Sequence, residues 1–119
     1  MVNTVVLGKR GEEFATSFLR TKGYTIFARN VRLPEGEIDI VAVKNSILTI
    51  FEVKTRSSLR HGNPYEAVDQ RKQTKLLRLA EKYALQIGKK DSKLSVGVIS
   101  ILFDESTNSA TISLYDYFT

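Results

Sequence analysis

Hydrophobic spacing divides the chain into seven segments. From Lys9 to Lys22, the residues Phe14, Ala15, Phe18 and Leu19 recur as one apolar helical stripe, and Gly23 is placed to end it. Tyr24 to Arg32 alternates as a strand, with Tyr24, Ile26 and Ala28 on one side. Pro34-Glu35-Gly36 marks a turn. Glu37 to Val43 and Ile47 to Arg56 read as two strands joined through Lys44-Asn45-Ser46. Ser57 to Pro64, carrying Gly62 and Pro64, reads as a loop, and Tyr65 to Gly88 as the longest helix. The apolar side of that helix is Leu76, Leu77, Ala80, Ala84 and Ile87. Leu94 to Phe103 and Ala110 to Phe118 follow as strands, with a polar turn from Asp104 to Ser109, and Tyr115, Tyr117 and Phe118 read as the alternating face of the last strand rather than a base-stacking platform. The expected order is α-β-β-β-α-β-β. It describes one α/β domain over residues 1–119, a mixed central sheet flanked by helices.

The third strand is the most informative. Ile47, Thr49, Phe51 and Val53 fall on one face, and Leu48, Ile50, Glu52 and Lys54 on the other. Both faces begin apolar, which predicts a central strand covered on both sides. Glu52 and Lys54 then lie roughly 7 Å apart on one face, where charge is costly unless paired or metal-bound. The preceding strand puts Glu37 and Asp39 on one face and Ile38, Ile40 and Ala42 on the other. A hairpin brings Asp39 toward Glu52. Two carboxylates at about 4 Å repel by roughly 4 kcal/mol at an effective dielectric near 20, so such a cluster calls for a proton, a cation or a metal. Hard oxygen ligands suit Mg²⁺ or Mn²⁺.

The long helix carries a second signal. Arg71, Lys75, Arg78 and Lys82 line one stripe, which is either a solvated face or a track for phosphates, and Arg56 ends the third strand as a further cation. Gln73 falls on the apolar side and is expected to point inward, where a buried amide needs partners. The net charge of +5 favours polyanionic partners, nucleic acid first. The absence of cysteine excludes disulfides and thiolate metal sites. No apolar run approaches a membrane span, and the chain reads as cytoplasmic. His61, the lone histidine, reads as a surface loop residue. No Ser/His/Asp set and no phosphate-cradling glycine loop is present.

The pattern resembles the PD-(D/E)XK nuclease superfamily. Its ordered parts are Gly11-Glu12, Glu37-Ile38-Asp39 and Glu52-Val53-Lys54. More closely, the chain resembles the YraN-like family of small bacterial proteins, related to archaeal Holliday-junction resolvases. That likeness rests on Gly8-Lys9-Arg10-Gly11-Glu12, Ala28-Arg29-Asn30, Gly36 to Ala42 and Phe51 to Arg56. The resemblance implies a restriction-endonuclease-like fold and a metal-dependent nuclease acting on DNA, with branched DNA and a homodimer as extensions of the resolvase kinship. It implies that Asp39 and Glu52 hold Mg²⁺ or Mn²⁺ and that Glu12 completes the metal site. Lys54 would position or activate water or stabilise phosphate charge, and Gln73 would support the site. Glu37 reads either as a supporting site residue or as a surface charge near the turn. The rival readings are a non-catalytic nucleic-acid-binding module and a structural partner that retains the fold.

Overall fold

The structure, a computed structural model, describes residues 4–57, 69–104, 106–107 and 109–118. Its elements are α1 (Thr4–Thr21), β1 (Thr25–Leu33), β2 (Gly36–Lys44), β3 (Ile47–Arg56), α2 (Gln70–Gln86), β4 (Lys93–Asp104) and β5 (Ser109–Phe118). The strands form one mixed sheet in the order β1-β2-β3-β4-β5, with β3 and β4 parallel and the other neighbours antiparallel. β3 is central, as its two apolar faces require.

The sheet is covered on both faces. Leu7, Ala15 and Leu19 of α1 meet Ile40, Ala42, Phe51, Ile99 and Ile101. Leu76, Leu79, Ala80, Tyr83 and Ala84 of α2 meet Ile38, Leu48, Ile50, Val96 and Val98 on the other face. The parallel β3–β4 pair needs a crossover, and α2 lies between them in sequence. Among the described residues, no helix is long and apolar enough to cross a membrane.

Several boundaries differ from the sequence reading. α1 begins at Thr4 rather than Lys9. Its core stripe is Leu7, Ala15 and Leu19, while Phe14 is 41% exposed and meets Phe103 edge-on, at the margin of the buried face. α2 begins at Gln70 rather than Tyr65. Asp69 is extended there, and its side chain accepts the Lys72 N–H, an N-cap that starts a helix. Leu79 and Tyr83 join the buried face of α2, and Leu77 lies at its edge. The expected loop around His61 and the first residues of the expected long helix lie outside the described residues, as do the side chains of Tyr117 and Phe118.

The largest departure is in β1 and β2. Strict alternation puts Ile38 and Ile40 on one face, yet Ile38 belongs to the α2 core and Ile40 to the α1 core. β1 changes face as well. Ile26 packs on the α1 side and Ala28 on the α2 side, across a register shift between them. Ala28 and Val31, three apart in sequence, then share the α2 side. The pairs Arg29↔Ile40 and Val31↔Ile38 leave Asn30 facing Asp39, and Asn30 adopts a left-handed φ of 53°. One residue in each strand is thus taken out of the two-residue repeat at the same level of the sheet.

Two glycines let elements approach closely. A Cβ on Gly11 would collide with the Thr55 side chain, so α1 rests directly on β3 at this point. A Cβ on Gly97 would lie 2.8 Å and 2.9 Å from Phe51 ring carbons. Gly97→Ala should therefore cost about 1–3 kcal/mol through overpacking, read as a lower midpoint in chemical denaturation. Gly11→Ala should also destabilise, although alanine favours a helix interior by about 1 kcal/mol. Adding Thr55→Ala should recover most of that loss. No recovery would mean that the α1–β3 contact is not the cause.

Candidate active site: an acidic cleft where β2 leaves β3

Pairing of β2 with β3 runs from Lys44↔Ile47 to Ile40↔Phe51 and stops there. The same register would next set Asp39 opposite Glu52. At this level the Val53 N–H is accepted by the Asp39 carboxylate, Oδ2, at 2.8 Å. The side chain takes a place in the ladder that a main-chain carbonyl would hold, which fixes Asp39 at the fork between the strands.

A cavity of about 390 Å³ opens beside the fork, lined by residues that include Gly8, Lys9, Glu12, Asn30, Glu37, Asp39 and Thr55. α1 brings Glu12 to it, and Gly11 makes that approach possible. Two β1 residues hold Glu12: its Oε1 accepts from Arg29 Nε at 3.0 Å and from Asn30 Nδ2 at 2.8 Å. Arg29 also reaches Glu13 at 2.9 Å. The left-handed backbone of Asn30 is what directs its amide to α1 instead of along the sheet face.

Burial raises the Asp39 pKa above the ordinary 3.8, the Val53 N–H works the other way, and the charges of Glu52, Glu12 and Glu37 raise it further. Asp39 is the electrostatic centre of the cleft, in contact through its field with every acid that the sequence assigned to the site. Glu37 is exposed at the mouth of the cavity.

Glu52 lies on the other side of β3, the side that carries Leu48 and Ile50 against α2. Its Oε1 is 3.3 Å from Lys54 Nζ and 3.2 Å from Lys72 Nζ. Its Oε2 is buried with no hydrogen-bond partner among the described residues. The expected Glu52–Lys54 proximity on one face is present. Lys72 was not among the expected site residues. Its only sequence signal is its place at the boundary between the two faces of α2, beside Gln73, which is half-buried.

The expected set is therefore brought to one end of the sheet in two groups, and Asp39 and Glu52 are near enough for their charges to interact. Glu12, Glu37 and Asp39 face the cavity, while Glu52, Lys54 and Lys72 form an ion-paired group on the α2 side. Among the described residues, no three acidic or histidine side chains converge on one point as a metal cage. Arg71, Lys75 and Arg78 are exposed along α2, and Arg56 is half-buried at the end of β3. Lys82 differs from the rest of the stripe, since it is paired with Glu35 at 3.2 Å.

Comparison with known proteins places the chain among small bacterial relatives of similar length. A UPF0102 protein of Dictyoglomus thermophilum is 41% identical over 105 residues, covering 88% of this chain and 89% of the relative. One from Chlorobium phaeobacteroides is 40% identical over 111 residues, covering 93% and 87%. One from Paenarthrobacter aurescens is 42% identical over 97 residues, covering 82% and 80%. The family described as "Uncharacterised protein family UPF0102" matches residues 11–101, a span that contains Glu12, Asp39, Glu52, Lys54 and Lys72, and the chain belongs to that family.

Proposed function

We propose that this protein is a metal-dependent nuclease, hydrolysing phosphodiester bonds of DNA on a restriction-endonuclease-like fold. The observation that carries the reading is a pair of neighbouring carboxylates that are each only partly compensated. Asp39 is desolvated and repelled by three acids, and it is next in register to Glu52, whose Oε2 is buried without a partner among the described residues. A buried acceptor left unmade costs about 1–3 kcal/mol, more when charged. A divalent cation offsets both penalties. Mg²⁺ and Mn²⁺ suit the donors, because Mg²⁺ binds through one or two carboxylates together with waters and substrate phosphates and needs no complete protein cage. Asp39 and Glu52 would hold the ion, with Glu12 approaching from the cavity. When bound, the ion would acidify water and neutralise charge on the phosphate.

The chain's own groups have defined parts in this proposal. The Val53 N–H orients Asp39, and Arg29 with Asn30 orients Glu12. Lys54 offers an ammonium beside Glu52, where it can offset phosphate charge or exchange a proton with water. Gln73 supports this end of α2. The exposed Arg71, Lys75 and Arg78 supply a phosphate track, with Lys82 weakened by Glu35 and Arg56 at its end. The resemblance to Holliday-junction resolvases extends the proposal to branched DNA and a homodimer. The second reading is a non-catalytic nucleic-acid module, which keeps the basic stripe and predicts no metal response.

Glu52→Gln should abolish cleavage of duplex, flapped or four-way DNA in Mn²⁺ while retaining DNA binding, since an amide keeps the shape but is a poor ligand for a hard cation. If the parent cuts nothing and melts at one temperature with and without millimolar Mn²⁺, the non-catalytic module is the better reading.

The raised Asp39 pKa fixes the sign of a pH effect. A carboxyl with a raised folded pKa favours the folded state in its protonated form. Without metal, its contribution therefore improves as pH falls through the raised value and worsens as pH rises through it. Asp39→Asn should remove that dependence, melt a few degrees above the parent at neutral pH without metal, and lose the upward shift produced by Mn²⁺. A pH profile of stability identical in parent and Asp39→Asn would overturn this assignment.

Replacing Arg71, Lys75 and Arg78 together by Gln should weaken DNA binding and flatten its salt dependence by about 0.9 per lost phosphate contact. An unchanged slope would return the stripe to an ordinary solvated face.

A further inference from the structure

Asp69 caps α2 through the backbone N–H of Lys72, so the start of that residue is fixed while its side chain remains 34% exposed. The Lys72 ammonium contacts the same Glu52 oxygen that Lys54 contacts. One carboxylate oxygen thus serves two like charges, while its twin is buried and unpartnered among the described residues. The two lysines are not equivalent. Lys54 is two residues from Glu52 on the same strand and is held near it by the β-repeat. Lys72 belongs to another element and reaches Glu52 on a flexible four-carbon stem. It can withdraw without disturbing the sheet. Its neighbours on α2, Arg71 and Lys75, are exposed cations, so a withdrawn Lys72 joins a surface suited to phosphate.

We infer that Lys72 is an exchangeable counterion of Glu52. It neutralises the carboxylate in the resting site and turns to a nucleic-acid phosphate when a divalent cation takes Glu52. The inference rests on the metal-dependent reading above and adds a coupling between cation and substrate. No covalent bond changes. Glu52 keeps a positive partner throughout, and the phosphate gains one. Lys72 is then a positioning residue that competes with the cation and assists the polyanion.

The test uses the full chain and two probes, Mn²⁺ alone by calorimetry and a fluorescent DNA duplex by anisotropy in Ca²⁺. Lys72→Met keeps the apolar stem and removes the charge. It should bind Mn²⁺ roughly fivefold more tightly than the parent, the scale of one partly exposed ion pair, and bind the duplex more weakly. Lys72→Gln should behave in the same way, and Lys72→Arg should stay close to the parent in Mn²⁺ affinity. Melting curves without metal establish that each variant is folded. Equal or weaker Mn²⁺ binding by both neutral variants, with the parent binding normally, overturns the exchange and leaves the metal-dependent reading standing. Absence of Mn²⁺ binding in the parent as well removes both.

Discussion

The hydrogen bond from the Val53 N–H to the Asp39 carboxylate holds the site end of the molecule in its form. A sheet ladder normally closes each main-chain donor on a main-chain acceptor, and a strand that leaves its neighbour exposes donors that must be satisfied otherwise. Here a side chain does so, which lets β2 depart from β3 without stranding an amide in the interior. The departure opens beside the cavity, and the residue that permits it is also an acid whose charged form burial and neighbouring acids disfavour. Structural necessity and unfavourable electrostatics meet in the same carboxylate, so Asp39 cannot relax by turning to solvent without releasing Val53.

The paired irregularities of Asn30 and Asp39 follow from that arrangement. Taking one residue out of each strand at one level reverses which face the following residues present. It keeps Arg29↔Ile40 and Val31↔Ile38 in register while sending two polar side chains toward α1. Asn30 then meets Glu12, and Gly11 lets α1 come near enough for that contact. The short sequence Gly11-Glu12 therefore has a physical reason on both counts: absence of a side chain for approach, and a carboxylate for the cleft.

Much of this was legible in the sequence, because burial imposes periodicity. Doubly apolar β3 announced a central strand, and the spacing of Glu52 and Lys54 announced their ion pair at its polar end. What escaped was whatever breaks the repeat or crosses between elements. A period-two reading of Glu37 to Val43 cannot show that Ile38 and Ile40 face opposite ways, although asparagine, the residue type most tolerant of left-handed backbone after glycine, stands at position 30 as a signal. Asp69 stands in the sequence as a residue type suited to an N-cap, and the structure starts α2 immediately after it. Lys72 left almost no trace, since a cation at the edge of a helix looks the same whether it meets water or a carboxylate on the sheet.

The distribution of charge bears on which function this end of the molecule serves. The chain carries an excess of cations, yet the cavity beside the fork is lined by Glu12, Glu37 and Asp39. A surface that only gripped a polyanion would be weakened by such a lining, since each carboxylate repels phosphate and the cluster repels itself. Basic residues alone would bind better at less cost to folding. Under the proposed function a divalent cation would stand between the acids and the phosphate, and the charges that oppose binding would then hold the ion that enables it. α2 fits that division of labour, presenting Arg71, Lys75 and Arg78 outward to a backbone and Lys72 inward to Glu52. In the proposed reading a bound cation would offset the cost of these acids, for which a module that only gripped a polyanion has no use.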